Sequence, residues 1–252
     1  MREVSEVVTA LRARPADTAL LLDFDGTLSD IVRSAGDARP LPGVAEALAA
    51  LSEAYGVVGV ISGRPLSFLV EHLPDGPVLS GLYGLEARQG GAVVQHPDAV
   101  GWRPLLDEVA ADAVRTLPPG VDVEHKGLSV TLHVRPVPEA LDEVRAFAEA
   151  VAARTGLERR VAKMSEELHP PVPVDKGTVV RELVGDLGVV AYVGDDVGDR
   201  PAFAALDRLR ADGRDTVKVV VDSAELDPAL RADADLLLPD PVAVLDLLRA
   251  LG

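Results

Sequence analysis

Cysteine is absent from the 252 residues, which excludes disulfides and thiolate metal sites. Basic residues are scarce: 25 Lys and Arg stand against 41 Asp and Glu, a formal net charge of −16. A field of that sign argues against nucleic acid or an anionic membrane as the main partner, and an anionic ligand would need local cations or a metal. No apolar run reaches the ~18 residues of a membrane span. The first residues, Met1 to Glu6, lack a basic stretch feeding an apolar segment and cleavage site, so the expectation is a soluble cytoplasmic protein. No repeat or low-complexity tract stands out. What is present is 48% hydrophobic content, in a chain long enough for one large domain or two modest ones and able to bury a core without staples.

Short apolar runs ending at charged or glycine-rich turns alternate with helical patterns. Leu20-Leu21-Leu22 runs into Asp23-Phe24-Asp25, Val57 to Ile61 stops at Ser62-Gly63-Arg64, and Val189 to Val193 runs into Gly194-Asp195-Asp196. Thr216 to Val221 and Asp235 to Leu238 read as further strands, and Val44 to Ala54 as a helix. Near-continuous apolar strands alternating with helices predict a doubly wound α/β fold, a parallel sheet covered on both faces. The middle differs. Val121 to Lys126 and Leu128 to Arg135 form a hairpin-like pair, Glu158 to Lys163 and Glu166 to Leu168 read as short strands, and helices are expected over 104–117 and 139–154. The expected division is a core at 1–103 and 173–252 with a smaller α+β cap inserted at 104–172, the stretch Pro170 to Pro173 serving as a return hinge.

In open α/β sheets ligands bind beyond the carboxyl ends of the strands. Asp23, Asp25, Ser62, Lys176, Asp195, Asp196 and Asp199 are all expected at such ends. So many carboxylates cannot all ionise together without a cation, and Mg²⁺ suits one or two carboxylates plus substrate phosphate and water. Lys176 and Ser62 would serve a phosphoryl group, and Gly26-Thr27 leaves room for backbone N–H groups to cradle an anion. The pattern fits phosphoryl transfer. Blander readings stand beside it: Ser62 as the cap of a helix near Pro65, Lys176 as a solvated surface lysine, and Asp196 as a turn former.

Asp23-Phe24-Asp25-Gly26-Thr27-Leu28, Ser62, Lys176 and Gly194-Asp195-Asp196 with Asp199 resemble the four ordered motifs of the haloacid dehalogenase (HAD) superfamily, across the whole inferred core. The resemblance implies that Asp23 is a nucleophile forming an aspartyl-phosphate, and that Asp25 protonates the leaving oxygen and then activates water. It further implies that Gly26, Thr27, Ser62, Gly63 and Lys176 hold the phosphoryl group. Mg²⁺ would sit on Asp23, the backbone carbonyl of Asp25 and Asp195, with Asp199 in support and Asp196 as an optional further member. Dehalogenase relatives lack the second acid, so hydrolysis leads.

Gly81 to Glu86, Glu124-His125-Lys126, His133-Val134-Arg135 and Glu167-Leu168-His169-Pro170 resemble trehalose-6-phosphate phosphatases. The substrate contacts this implies are Glu124, Lys126, Arg135 and Glu167, with Arg64 and His133 beside them, His133 touching sugar or orienting Arg135. The partner would be a small sugar phosphate bound by a monomer or dimer. The alternatives are another sugar phosphate, phosphomutase chemistry, or a receiver-like phospho-acceptor module; Glu124, Lys126 and Arg135 could also be a solvated sheet face with cross-strand ion pairs. The family's Asp-Asp-x-Thr-Asp-Glu reads here Asp195-Asp196-Val197-Gly198-Asp199-Arg200, and its Leu-Arg-Pro reads Leu168-His169-Pro170.

Overall fold

The computed structural model describes residues 1–32, 35–162, 164–223 and 226–252, so Lys163, at the end of one expected strand, lies outside the described residues. The chain divides into two compact units, 1–94 with 174–252, and 95–173. The first division falls nine residues before the expected 104, because the helical turn Pro97–Val100 and Trp102 go with the second unit, where Trp102 packs on the core.

The first strands along the chain are β1 (Thr18–Leu22), β2 (Val57–Ile61), β3 (Val78–Gly81), β4 (Glu86–Gln89) and β5 (Ala92–Gln95). In the smaller unit follow β6 (Asp122–His125), β7 (Val130–His133), β8 (Glu158–Ala162) and β9 (Ser165–His169). The chain then returns for β10 (Val189–Gly194), β11 (Asp215–Val221) and β12 (Leu236–Leu238). The larger sheet runs β12-β11-β10-β1-β2-β3-β4-β5. Its first six strands are parallel, and β4 pairs antiparallel with β3.

Burial on both faces explains the apolar runs. On β1, Leu20 and Leu22 join a cluster completed by the helices Val44–Ala54 and Pro241–Leu251. Ala19 and Leu21 join the opposite cluster, with the helices Lys176–Val184 and Arg200–Ala211. The antiparallel edge of β4 and β5 was not anticipated. Its signal was Gly90-Gly91, both at positive φ (55° and 81°), a pairing that suits a tight hairpin turn between short strands.

Strand order reverses at β1, which has β10 on one side and β2 on the other. Leu22 pairs with Val193, and Asp23 N–H donates to Val193 O at 2.9 Å, so the acidic ends of β1 and β10 emerge side by side. This is the topological switch point of a doubly wound sheet.

The smaller unit is an antiparallel sheet, β6-β7-β9-β8. Val130, Leu132, Val134 and Leu168 form its core with apolar residues of the helices Arg103–Thr116 and Leu141–Thr155. The residues alternating with these do not follow the usual outward-polar rule: Thr131 on β7 and Ser129 just before it are buried as well. No described helix is long and apolar enough to cross a membrane.

Candidate active site

The chain leaves β1 in a tight turn. Thr27, Leu28 and Ser29 donate their N–H groups to Phe24 O, at 3.3, 2.8 and 3.1 Å, and Gly26 donates to Ser29 O at 2.9 Å. The anticipated cradle from Gly26 and Thr27 is therefore corrected: their N–H groups are engaged inside the turn. Gly26 serves a different need. Its φ is +75°, and a Cβ there would stand 2.1 Å from Asp195 Oδ2. Gly26→Ala is thus expected to lower stability by at least about 2 kcal/mol, from left-handed strain plus overpacking. Urea unfolding checks this; an unchanged midpoint would mean the two loops do not pack this closely.

Lys176 is no surface lysine. It opens the helix Lys176–Val184, whose N-terminus Asp175 caps by accepting from Thr178 N–H at 2.7 Å. There it is buried, with Nζ 2.7 Å from both Asp23 Oδ1 and Asp199 Oδ1. Burial works against its ammonium, but the Asp199 and Asp23 carboxylates outweigh that and hold its pKa well above the ordinary value.

Asp199 is the hub of the last loop. Oδ1 accepts from Lys176 Nζ and, at 2.6 Å, from the Tyr192 hydroxyl; Oδ2 accepts from the N–H groups of Asp195 and Asp196, at 2.9 and 3.2 Å. Asp196 accepts from Gly198 N–H at 2.8 Å, the turn-forming role. Asp195 differs from both, since its Oδ1 is buried without a hydrogen-bond partner among the described residues.

Asp23, Asp195 and Asp199 each offer an oxygen within 4.8 Å of the others, all buried. Burial raises the Asp23 carboxyl well above the usual range against the pull of Lys176. Burial and the nearby Asp23, Asp196 and Asp199 push Asp195 up to about 10. One ammonium cannot neutralise this cluster. An orphaned oxygen on Asp195 and an all-oxygen donor set fit a hard divalent cation.

Ser62 does not cap a helix: its Oγ accepts from Arg64 N–H at 3.1 Å, and the helix Leu66–His72 begins after Pro65 without a side-chain cap. Arg64 grips Asp25 through two bonds, Nε to Oδ2 at 2.8 Å and Nη2 to Oδ1 at 2.6 Å, while stacking over Phe68. Gly81 to Glu86 braces this loop. Leu82 N–H donates to Arg64 O and Tyr83 N–H to Ser62 O, both at 2.9 Å, and Glu86 accepts from Leu66 N–H at 3.1 Å. Gly63 lies so close under Tyr83 that a Cβ would meet its ring at 2.5 Å.

In the smaller unit Glu124, Lys126, His133 and Glu167 come together on one sheet face. Lys126 Nζ stands 3.7 Å from Glu124 Oε2 and 3.7 Å from Glu167 Oε1; His133 Nε2 lies 2.9 Å from Glu124 Oε2, and Ser129 Oγ donates to Glu167 Oε1 at 2.6 Å. Arg135 lies just past β7, exposed. His169 is buried on the same face; burial and Arg160 lower its pKa, favouring neutral imidazole. The sequence reading missed Tyr192, the Arg64–Asp25 pair and Ser129. Tyr192 had a signal, a lone phenol in an otherwise apolar strand that must find a partner when buried.

A family model described as trehalose-phosphatase matches residues 21–240. A trehalose-phosphate phosphatase of Mycobacterium ulcerans is 34% identical over 225 residues, 81% of this chain and 57% of its own length. One from Mycobacterium leprae is 35% identical over 208 residues, 75% of this chain and 47% of its own. A protein described as an uncharacterized glycosyl hydrolase of Mycobacterium tuberculosis is 36% identical over 203 residues, 75% of this chain and 15% of its own. The chain thus spans between 15% and 57% of the length of these relatives. Among solved structures, the C-terminal domain of Candida albicans trehalose-6-phosphate phosphatase is similar in fold, with TM-score 0.78, 22% identity, and 98% and 95% of the two chains covered.

Proposed function

The chain belongs to the trehalose-phosphatase family, and from that premise we propose that it hydrolyses trehalose 6-phosphate to trehalose and inorganic phosphate through a phosphorylated Asp23. The observation that carries the chemistry is the buried group of Asp23, Lys176, Asp195 and Asp199 at the adjoining ends of β1 and β10.

An Asp23 carboxylate oxygen attacks phosphorus as the bond to the sugar oxygen breaks, and Asp25 delivers a proton to that oxygen. Asp25 then takes a proton from the water that attacks the aspartyl-phosphate, releasing phosphate and restoring Asp23. Lys176 and the Ser62 hydroxyl hold the phosphoryl oxygens, with the N–H groups of Phe24 and Asp25 as backbone donors. Arg64 orients Asp25 through its two bonds and reaches the substrate from there. Mg²⁺ is the cation proposed for the cluster, on Asp23, Asp195 and the Asp25 carbonyl, where it supplies charge neutralisation for the transferring group. Asp199, with both oxygens already accepting, acts first as the brace of this loop and second as a ligand. Glu124, Lys126, His133, Arg135 and Glu167 read the sugar, carboxylates accepting from its hydroxyls.

Phosphate release with Mg²⁺ over a panel tests the reading: trehalose 6-phosphate, sucrose 6-phosphate, glucose 6-phosphate, mannosyl-phosphoglycerate and an aryl phosphate. Selective turnover of trehalose 6-phosphate, lost with chelator, is expected. Preference for another member would move the substrate and keep the chemistry, with His169, Gly198 and Arg200 the first residues to examine.

A further inference from the structure

We propose that the Thr131 hydroxyl is a further sugar-contacting group, the central member of a row of polar side chains across the sheet of the smaller unit. Register places Glu124 opposite Thr131, Thr131 opposite Glu167, and Glu167 opposite Arg160, so the four residues share one face of β6-β7-β9-β8. The same face carries His133 on β7 and Ser129 just before that strand, two residues to either side of Thr131. Ser129 Oγ holds Glu167 at 2.6 Å and His133 Nε2 holds Glu124 at 2.9 Å. The two carboxylates flanking Thr131 are therefore each fixed by one of its neighbours, while Thr131 Oγ1 is buried with no hydrogen-bond partner among the described residues.

A buried hydroxyl without a partner costs folding free energy and needs an explanation. Position supplies one. Thr131 lies on the polar face, away from the apolar core that Val130, Leu132 and Val134 make with the helices. Valine would fill the same volume without the penalty, and a strand interior favours it. Lys126 Nζ bridges Glu124 and Glu167 across this row at 3.7 Å to each, beyond hydrogen-bond reach. Sugar hydroxyls that pair with the carboxylates can take the place of this bridge. Three groups then converge on adjacent hydroxyls: two fixed carboxylates as acceptors, and between them one hydroxyl able to donate or accept. A face built to hydrogen-bond a polyol rejects ligands that leave its polar groups unpaired.

The inference rests on the reading of this face as the sugar-binding surface, and the experiment separates the two. Thr131→Val and Thr131→Ser are compared with the parent enzyme on trehalose 6-phosphate and on an aryl phosphate, and their melting temperatures are measured with and without the sugar phosphate. Loss of one hydrogen bond to substrate should lower kcat/KM of Thr131→Val on the sugar phosphate on the order of tenfold, leaving the aryl phosphate unchanged. The ligand-free melting temperature should stay level or rise, and the shift produced by sugar phosphate should shrink. Thr131→Ser should keep most of the parent's activity. Unchanged sugar-phosphate kinetics, equal losses on both substrates, or a marked fall in ligand-free melting temperature would each overturn the assignment. If the parent prefers another sugar phosphate, the proposed substrate fails, and the same comparison on the preferred one decides Thr131. A parent with no preference for any sugar phosphate over the aryl phosphate overturns both.

Discussion

Asp23→Asn is expected to lower phosphate release by at least about 10⁴-fold, the order of loss when a covalent nucleophile is removed. Its melting temperature without metal should stay level or rise. Asp23 is buried and its carboxyl is raised by burial, then opposed by Lys176. Replacing it with a neutral isostere of the same shape removes one of three crowded carboxylates and leaves Asp199 to hold Lys176 at 2.7 Å. The fold therefore loses little, while the reaction loses the atom proposed to attack phosphorus. Appreciable residual turnover would remove Asp23 as the nucleophile, and a large fall in melting temperature would mean its role is chiefly structural.

Lys176→Met should damage both activity and stability. Lys176 Nζ is the cation shared by Asp23 and Asp199, and all three groups are buried. Breaking a buried pair by removing one partner leaves uncompensated charge, at a cost of about 3–5 kcal/mol. Addition of Mg²⁺ should recover part of the stability, because a bound cation supplies neutralisation to the same carboxylates. It should not restore turnover, which loses the proposed phosphoryl contact as well. Urea titrations with and without Mg²⁺, alongside phosphate release, check the split. Full activity in the variant would place Lys176 outside the reaction.

The acidic strand ends were legible because carboxylates closing long apolar runs leave few other readings, and both faces of a parallel sheet demand such runs. Asp23 and Asp195 announce themselves in this way; their adjacency follows from strand order, which the sequence expresses only through alternation of strands and helices. The pairings between distant loops were not legible. Arg64 and Asp25 lie 39 positions apart, and their two-bond grip depends on β2 lying beside β1 and on Leu82 and Tyr83 holding the loop from below. Gly26 was read as a phosphate-loop glycine, whereas its N–H turns inward and its missing Cβ makes room for Asp195. Tyr192 was hidden in its apolar run because its ring packs on Phe203 in the core and only its hydroxyl reaches Asp199. Likewise Ser129 and Thr131 follow the alternation of a half-polar strand, and only the three-strand register reveals that Thr131 lies in the row of Glu124 and Glu167, with Ser129 bonded to its end.

The most direct test is to incubate Asp25→Asn with trehalose 6-phosphate labelled in its phosphoryl group, quench in acid, and locate the label by peptide mapping. With the residue proposed to activate water removed, breakdown of the intermediate should be the slowed step, and label should accumulate on Asp23 with no free phosphate beyond a single turnover. An unlabelled Asp25→Asn protein, from an enzyme whose parent form releases phosphate freely from the same substrate, would contradict a covalent route through Asp23.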